Sequence, residues 1–264
     1  MSASHSHDKA LADGGVALGL GQRGFREELF PQVARDCGYD WVFIDLEHGP
    51  MSQSQASAAM LGALQIGMTP IVRVGGHEAF HAYRALTNGA AGIIFPHVEN
   101  AEDAARCAAH CRFAPQGDRG VPAFFPQFGL AKPPLDEAIA ALNAMTRVVV
   151  MLESAQAVSQ ADAIAAVDGV DILFVGASDL TVELGLPGDY RNPAVTDALD
   201  RIAQACARHG KVAGIGGIKD EALLGELIAK GFRFILAGND LDLFMPAGKA
   251  RAEGLRTLAR KVTR

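Results

Sequence analysis

The sequence predicts a (β/α)8 TIM barrel that forms one domain over residues 1–264. Short runs of β-branched apolar residues alternate eight times with longer amphipathic segments rich in Ala and Leu. Eight such units within 264 residues are typical of a closed barrel rather than an open doubly wound sheet. No Gly/Ser-rich or Pro-rich linker divides the chain, so we expect a single domain, with residues 1–10 as a flexible N-terminus.

The order of the elements follows from these runs. Strands are expected at residues 16–20, 41–45, 70–73, 92–96, 147–152, 172–176, 212–215 and 234–238. Amphipathic patterns predict helices over residues 27–37, 54–66, 78–87, 101–110, 156–166, 193–209 and 220–230, most of them ending at a Gly, and a basic helix over residues 247–262. The longest irregular segment, residues 112–134, is rich in Pro and Gly, and its length predicts a functional loop near the site.

Composition and charge exclude several classes of protein. The chain has 24 Lys and Arg against 30 Asp and Glu, a net charge of -6, so we expect no nucleic-acid partner and no membrane partner. No apolar run reaches the length of a transmembrane helix, and the first residues lack the apolar region of a signal peptide. The four Cys are scattered, as is typical of reduced thiols. These observations predict a cytoplasmic enzyme or binding protein.

Polar side chains end five of the predicted strands in succession. In a TIM barrel the active site lies at the carboxyl ends of the strands, so these residues are the candidate site. They are Asp45, Glu47, His48, Arg73, His97, Glu153, Ser178 and Asp179.

Two of these carboxylates, Glu153 and Asp179, end adjacent strands. Neighbouring strands lie about 4.8 Å apart, and two like charges so close need a cation or a shared proton. Oxygen ligands alone favour Mg²⁺ or Mn²⁺ over zinc. The alternative is that both residues cap helices. The small residues Gly176 and Ala177 leave backbone N–H groups beside this point, where a substrate carboxylate is expected.

Five segments carry a resemblance to a known family. The run from residue 38 to 49, which contains Asp45-Leu46-Glu47-His48-Gly49, is one of the two most specific segments; the other is residues 176–180, Gly-Ala-Ser-Asp-Leu. Residues 70–74, 92–98 and 151–153 match in the same order. Together they resemble the HpcH/HpaI family of class II, metal-dependent 2-oxo-acid aldolases, from about Gly19 to Leu241.

The resemblance implies an activity and a site. It implies that the chain cleaves or forms 4-hydroxy-2-oxo acids from a pyruvate-type 2-oxo acid and an aldehyde through a metal-bound enolate, with Mg²⁺, Mn²⁺ or Co²⁺. By motif position, Glu153 and Asp179 would hold the metal, and Arg73 the oxo-acid oxygen. His48 would transfer the proton, and Gly176, Ala177 and Ser178 would bind the carboxylate. A homo-oligomer is also implied, hexameric or dimer-based, with C-terminal helices exchanged between neighbours.

One departure from the family pattern concerns the catalytic histidine. Members often carry an acidic residue in a Leu-Asp-x-Gly run that orients this histidine, whereas here the run contains Thr87. Thr has no charge to stabilise an imidazolium, so either Asp45 or Glu47 takes this role or His48 is a weaker base. The aldehyde pocket is expected around residues 215–217 and 119–121.

Other activities remain as alternatives. His77-Glu78-Ala79-Phe80-His81 matches the HExxH pattern of zinc proteases, and Lys219 offers an amine for a metal-free, Schiff-base aldolase. Cys107, His110 and Cys111 would share one helix face and are candidate ligands for a metal ion. A related lyase or oxaloacetate-type decarboxylase, or a noncatalytic metal-dependent oxo-acid binding protein, would use the same site.

Overall fold

Eight parallel strands close into a barrel in sequence order, with the last strand paired to the first. The computed structural model describes residues 6–25 and 29–262. The strands are β1 (Ala17–Gln22), β2 (Trp41–Asp45), β3 (Thr69–Arg73), β4 (Gly92–Phe95), β5 (Arg147–Leu152), β6 (Ile172–Gly176), β7 (Val212–Gly216) and β8 (Phe232–Asn239). The predicted TIM barrel is confirmed, and the β2, β5 and β6 bounds are those expected from the sequence.

Helices pack around the outside of this barrel and, in the case of the first one, across its amino end. They are α1 (Ser6–Leu11), α2 (Phe30–Asp36), α3 (Gln53–Gln65), α4 (Ala79–Thr87), α5 (Ala101–His110), α6 (Leu135–Met145), α7 (Ala155–Ser159), α8 (Ala161–Ala165), α9 (Ala177–Glu183), α10 (Pro193–His209), α11 (Glu221–Ala229) and α12 (Asp240–Val262). Within the described ranges, no helix is long and apolar enough to cross a membrane.

Alternation of side chains along the strands produces two apolar layers. In β2, Trp41 and Phe43 point into the barrel while Val42 and Ile44 pack against the helices. The Trp41 ring stacks on Phe234 of β8 at 4.1 Å between centroids. A Cβ on Gly19 of β1 would lie 2.2 Å from this indole, so the stacking requires a residue without a side chain at that position. The middle of the barrel interior is thus filled by aromatic and aliphatic side chains.

The N-terminal segment differs from the flexible one expected over residues 1–10. Residues 1–5 lie outside the described part, but Ser6–Leu11 form α1, which packs under the barrel. His7 is fully buried, lies 6.1 Å from the Phe234 ring between centroids and places Nδ1 3.1 Å from the Thr69 hydroxyl. This helix closes the amino end of the barrel. The sequence of the helix has no hydrophobic periodicity that would predict its buried side chains.

Other differences from the expected helices have local causes. The predicted helix over 156–166 is two short helices, because Gln160 leaves the helical region with φ -97° and ψ 4°. The predicted helix over 27–37 begins at Phe30 as far as the structure describes it, since residues 26–28 lie outside. The helix α6 was not expected, and α12 begins at Asp240, ahead of the helix predicted over 247–262.

The segment over residues 112–134 does not approach the candidate site of its own chain. Because α5 runs antiparallel to β4, its end returns the chain to the amino ends of the strands. There Gln127 donates from Nε2 to the carbonyls of Leu86 and Ala90, and Arg119 is buried over the Phe113 ring at 4.4 Å. The expectation that residues 119–121 shape the aldehyde pocket is therefore wrong within one barrel.

Candidate active site

Arg73 at the end of β3 is fixed by two carboxylates from the β2 end. Its Nε and Nη2 donate to Asp45 Oδ1 and Oδ2 at 3.0 and 2.8 Å, and Nη1 lies 3.1 Å from Glu47 Oε2. Burial alone would raise the pKa of Asp45, but the hydrogen bonds and charge of Arg73 outweigh it and hold that pKa below its usual range. The guanidinium is therefore held rigidly and fully charged at the barrel mouth.

Asp45 also shapes the backbone that follows β2. Its Oδ1 accepts from the N–H groups of Glu47 and His48 at 3.1 and 3.2 Å. The His48 side chain is 62% exposed, with Nε2 3.9 Å from Glu47 Oε2. The structure thus places Glu47, rather than Asp45, beside the His48 imidazole.

His97 at the β4 end links Glu47 to Glu153. The imidazole Nε2 lies 3.3 Å from Glu47 Oε1 and Nδ1 lies 3.0 Å from Glu153 Oε2. The backbone of His97 has a φ of 53°, in the left-handed region that only a few per cent of non-glycine residues adopt. The sequence places His97 at a polar strand end without indicating a role for it, and this backbone conformation is what singles it out.

Glu153 at the β5 end is buried although it carries a carboxylate. It is 5% exposed, burial raises its pKa, and the nearby charge of Asp179 raises the pKa further against the opposing influence of His97. A Cβ on Gly176 would lie 2.4 Å from Glu153 Oε1, so the glycine at the β6 end leaves the room that this carboxylate occupies. The two predicted metal ligands are therefore close enough to repel each other.

Neither of these carboxylates caps a helix. The residue that caps α7 is Ser154, whose hydroxyl accepts from the Ala157 N–H at 3.0 Å. The helix α9 begins at Ala177, and its N-cap residue Gly176 makes no side-chain cap. Asp179 lies exposed in the first turn of α9. The alternative interpretation of Glu153 and Asp179 as helix caps is thereby excluded.

Two cavities meet at Asp179. One, of about 460 Å³, is lined by His97, Glu153 and Asp179. The other, of about 160 Å³, lies over the barrel mouth and is lined by Arg73, by residues 176–179 and by Gly216 and Gly217. The carboxylate pair thus adjoins a second cavity that holds a fixed guanidinium and a stretch of small-residue backbone, which suits a small anionic substrate.

Comparison with known proteins gives the family. The model of the HpcH/HpaI aldolase/citrate lyase family matches residues 24–247. The chain belongs to this family. The resemblance seen in the sequence is confirmed, and HpcH/HpaI relatives can be compared over nearly the whole chain.

Three relatives show how far the similarity extends. The chain is 39% identical over 236 residues to a 4-hydroxy-4-methyl-2-oxoglutarate aldolase of Hapsidospora irregularis, covering 88% of this chain and 87% of the relative. It is 32% identical to a hydroxypyruvate/pyruvate aldolase of Paraburkholderia phytofirmans, covering 92% and 93%. A crystal structure of an HpcH/HpaI family protein from Burkholderia cenocepacia superposes with a TM-score of 0.84 at 30% identity, covering 95% and 98%. Two of the three are named aldolases, which supports an aldolase lyase.

Thr87, which stands where HpcH/HpaI members often carry an acid, cannot act on His48 within one barrel. It ends α4, two residues before Gly89, which lies beside Leu64 and Met60 of α3. This is the amino end of the strands, whereas His48 follows the carboxyl end of β2. A five-residue strand spans about 13 Å, far beyond hydrogen-bond reach.

The HExxH pattern does not form a zinc site. The helix α4 begins at Ala79, so His77 precedes it, and its Nε2 lies 2.6 Å from the Pro96 carbonyl oxygen. His81 faces Glu78 at 3.7 Å. The two histidines therefore do not lie one turn apart on one helix, as zinc binding by this pattern requires.

The remaining candidates are engaged elsewhere. Lys219 is exposed and ion-paired with Asp242 at 2.7 Å, so its amine already has a partner. Cys107 and Cys111 are buried, and among the described residues no three His, Cys, Asp or Glu are grouped to hold a metal ion. His110 is instead bonded to Asp118 at 3.0 Å.

Proposed function

We propose that this chain is a class II aldolase that forms and cleaves 4-hydroxy-2-oxo acids from a pyruvate-type 2-oxo acid and an aldehyde. The observation that carries the proposal is that the Glu153–Asp179 pair and the doubly anchored Arg73 line two adjoining cavities that share Asp179. Enolate chemistry needs positive charge at the oxo-acid oxygen, and these residues are arranged to supply or hold it.

The donor set fits a hard divalent cation. Glu153 and Asp179 offer only oxygen atoms, and no described residue hydrogen-bonds to Glu153 Oε1. Within residues 6–25 and 29–262, no group of three or more His, Cys, Asp or Glu is arranged to hold a metal. Two protein ligands leave the other positions to water and substrate, as Mg²⁺ or Mn²⁺ accepts. When bound, such an ion would act as a Lewis acid toward the oxo-acid carbonyl.

Arg73 and the backbone after β6 would hold the donor. Bidentate anchoring to Asp45 leaves the guanidinium no freedom to reorganise, so its charge is in place as negative charge develops on the oxo-acid oxygen. Residues Gly176, Ala177 and Ser178 line the same cavity and would take the donor carboxylate. Donor and guanidinium would thus be oriented before any bond forms.

His48 would move the proton at the aldehyde oxygen, directly or through water. Its side chain is exposed and next to Glu47, which can stabilise an imidazolium. We expect His48→Ala to lower kcat by about 10²- to 10⁴-fold, the range of general acid–base catalysis. Unchanged kcat across the pH range would assign the proton transfer to another group.

The protein would act as a cytoplasmic homo-oligomer. Its four thiols are free, as is typical of a reducing compartment. The helix α12 leaves Leu243, Phe244, Leu255 and Leu258 about half exposed, which a neighbouring subunit would cover.

The test is a screen of pyruvate and hydroxypyruvate against a panel of aldehydes, with Mg²⁺, Mn²⁺ or Co²⁺ and after chelation. We expect metal-dependent carbon–carbon bond formation, seen by NMR of the product. Decarboxylation of oxaloacetate without any aldol product would favour the related decarboxylase. Binding of pyruvate without any turnover would favour a noncatalytic oxo-acid binding protein.

A further inference from the structure

One side of the barrel mouth is formed by the ends of β8 and β1. Leu236 and Asn239 of β8 line the smaller cavity there, together with Arg23, which follows β1. Arg73 at the β3 end and residues 176–178 after β6 line other sides of the same cavity. The β8–β1 side therefore offers a ligand an apolar side chain, an uncharged amide and a cation.

The amide of Asn239 reaches over β1 because the residue paired with it there is a glycine. Gly21 pairs with Asn239, and a Cβ on Gly21 would lie 2.1 Å from Asn239 Oδ1. Ala17, four residues before Gly21 on the same face of the strand, belongs to the apolar layer inside the barrel. The amide oxygen thus occupies the interior-facing position at the carboxyl end of β1.

Asp242 determines which way this amide faces. Its Oδ2 accepts from Asn239 Nδ2 at 3.2 Å and from the Asn239 backbone N–H at 3.3 Å. Hydrogen bonds from Lys219 and from Asn239 lower the pKa of Asp242, so its carboxylate is ionised at neutral pH and can only accept. Nδ2 must therefore point at Asp242. Oδ1 is left as an acceptor, and it has no hydrogen-bond partner among the residues that the structure describes.

The first turn of α12 also fixes the backbone on this side of the mouth. The buried carboxylate of Asp240 accepts from the N–H groups of Arg23 at 3.1 Å and of Phe25 at 2.7 Å. Asp240 and Asp242 lie two residues apart in α12, so one element holds both the end of β1 and the Asn239 amide. Little ordering of this side is needed when a ligand binds, which lowers the entropic cost.

A donor held as proposed above directs its third substituent toward Asn239. C2 of a 2-oxo acid is trigonal, so the carboxylate, the oxo oxygen and C3 lie in one plane and point three ways. With the carboxylate at residues 176–178 and the oxo oxygen at Arg73, C3 is left to face the β8–β1 side. There Leu236 suits the carbon atom, and Asn239 Oδ1 suits a hydroxyl group on it.

We propose that Asn239 Oδ1 accepts a hydrogen bond from a hydroxyl group on C3 of the donor, so that the enzyme favours hydroxypyruvate over donors with an alkyl group at C3. The inference rests on the proposed aldolase function and names its donor. In the reaction, C3 loses a proton and bonds to the acceptor carbonyl carbon, whose oxygen takes up a proton. The C3 hydroxyl is retained in the product. Asn239 is thus a specificity residue, and Asp242 is a positioning residue that acts through it.

The test compares hydroxypyruvate with 2-oxobutanoate, which carries a methyl group where hydroxypyruvate carries the hydroxyl. Both donors are assayed with propanal and Mn²⁺, and the ratio of their kcat/KM values is measured in each protein. Differences in intrinsic reactivity between the donors are common to all variants, so a change in this ratio reports the contact with the hydroxyl. We expect Asn239→Leu, which keeps the size but removes the amide, to lower the ratio about tenfold.

Two further variants separate orientation from charge. Asp242→Ala leaves Asn239 in place but removes the acceptor that orients its amide, and it should lower the ratio severalfold. Lys219→Met removes the ion pair of Asp242 and leaves its carboxylate to Asn239, so the ratio should stay at the wild-type value.

An unchanged ratio in Asn239→Leu would overturn the inference, and an equal fall in Lys219→Met and Asp242→Ala would overturn the role of Asp242. If no aldol product forms with any donor, the proposed function fails. Calorimetry of the Mn²⁺-loaded proteins then still tests the contact. Hydroxypyruvate should bind more tightly than 2-oxobutanoate to the wild type but not to Asn239→Leu, and equal binding of both to the wild type would refute it.

Discussion

His97 directs two nitrogen atoms at a single oxygen of Glu153. Its backbone N–H donates to Oε2 at 3.1 Å, and its Nδ1 lies 3.0 Å from the same atom. The left-handed backbone at His97 turns both groups toward the carboxylate. Oε2 is held in this way, Oε1 has no hydrogen-bond partner among the described residues, and Glu153 lines the larger cavity.

This pairing predicts that His97 positions Glu153 for a metal. We expect His97→Ala to weaken Mn²⁺ binding about tenfold, the lower end of what groups that orient metal ligands contribute. His97→Asn should bind nearly as wild type, because Asn tolerates a positive φ and its amide can donate to Glu153. Calorimetry or Mn²⁺ electron paramagnetic resonance measures both affinities. The exposed His81→Ala serves as control, and equal weakening in His97→Ala and His97→Asn would contradict the prediction.

The two carboxylates themselves should be required for the metal. Glu153→Gln and Asp179→Asn each remove one charge from the pair, and we expect each to lose Mn²⁺ binding and all but residual aldolase activity. Glu183→Gln removes the same charge from the same cavity one helical turn beyond Asp179 and should retain both. Full activity after exhaustive chelation, or trapping of substrate on Lys219 by borohydride, would instead establish the Schiff-base route.

The Asp45–Arg73 pair predicts a pH-dependent stability. Arg73 lowers the pKa of Asp45 in the folded state. The stabilisation of the fold by this pair is therefore fully present above the unfolded pKa of about 3.9, and it is lost as pH falls through the lower, folded pKa. Asp45→Asn leaves Arg73 without its bidentate partner and should cost about 3 kcal/mol at pH 7. Urea unfolding from pH 7 to pH 3 measures the free energy of unfolding of both proteins. The difference between Asp45→Asn and wild type should become smaller below about pH 4. The exposed Asp36→Asn is the control, and a difference independent of pH would refute the assignment.

Assembly should depend on α12. Leu255 and Leu258 lie three residues apart on one face of this helix and are 49% and 58% exposed. We expect light scattering to give a symmetric oligomer for the wild type and a smaller species for the double variant Leu255→Asp, Leu258→Asp. Arg256→Asp, on the same turn, should leave the mass unchanged. A monomer mass for the wild type at micromolar concentration would refute the oligomer.

The sequence by itself determined the barrel and most of the polar residues at its mouth. Strand and helix periodicities are local properties of the chain, and a TIM barrel brings the carboxyl ends of all its strands to one rim. Asp45, Arg73, Glu153 and Asp179 can therefore be grouped from strand order alone. The family resemblance added roles to these residues, because ordered motifs carry information that periodicity does not.

Only the tertiary structure decided which partners these residues have. Asp45 faces Arg73 rather than the His48 imidazole, and His97 joins Glu47 to Glu153, because side-chain pairing depends on register and backbone dihedrals across different strands. Thr87 and Arg119 lie at the opposite end of the barrel from the site, since Thr87 ends and Arg119 follows a helix that runs antiparallel to its strand. The fixed position of Arg23 depends on Asp240, more than 200 residues away in the chain, whose carboxylate accepts its N–H at 3.1 Å.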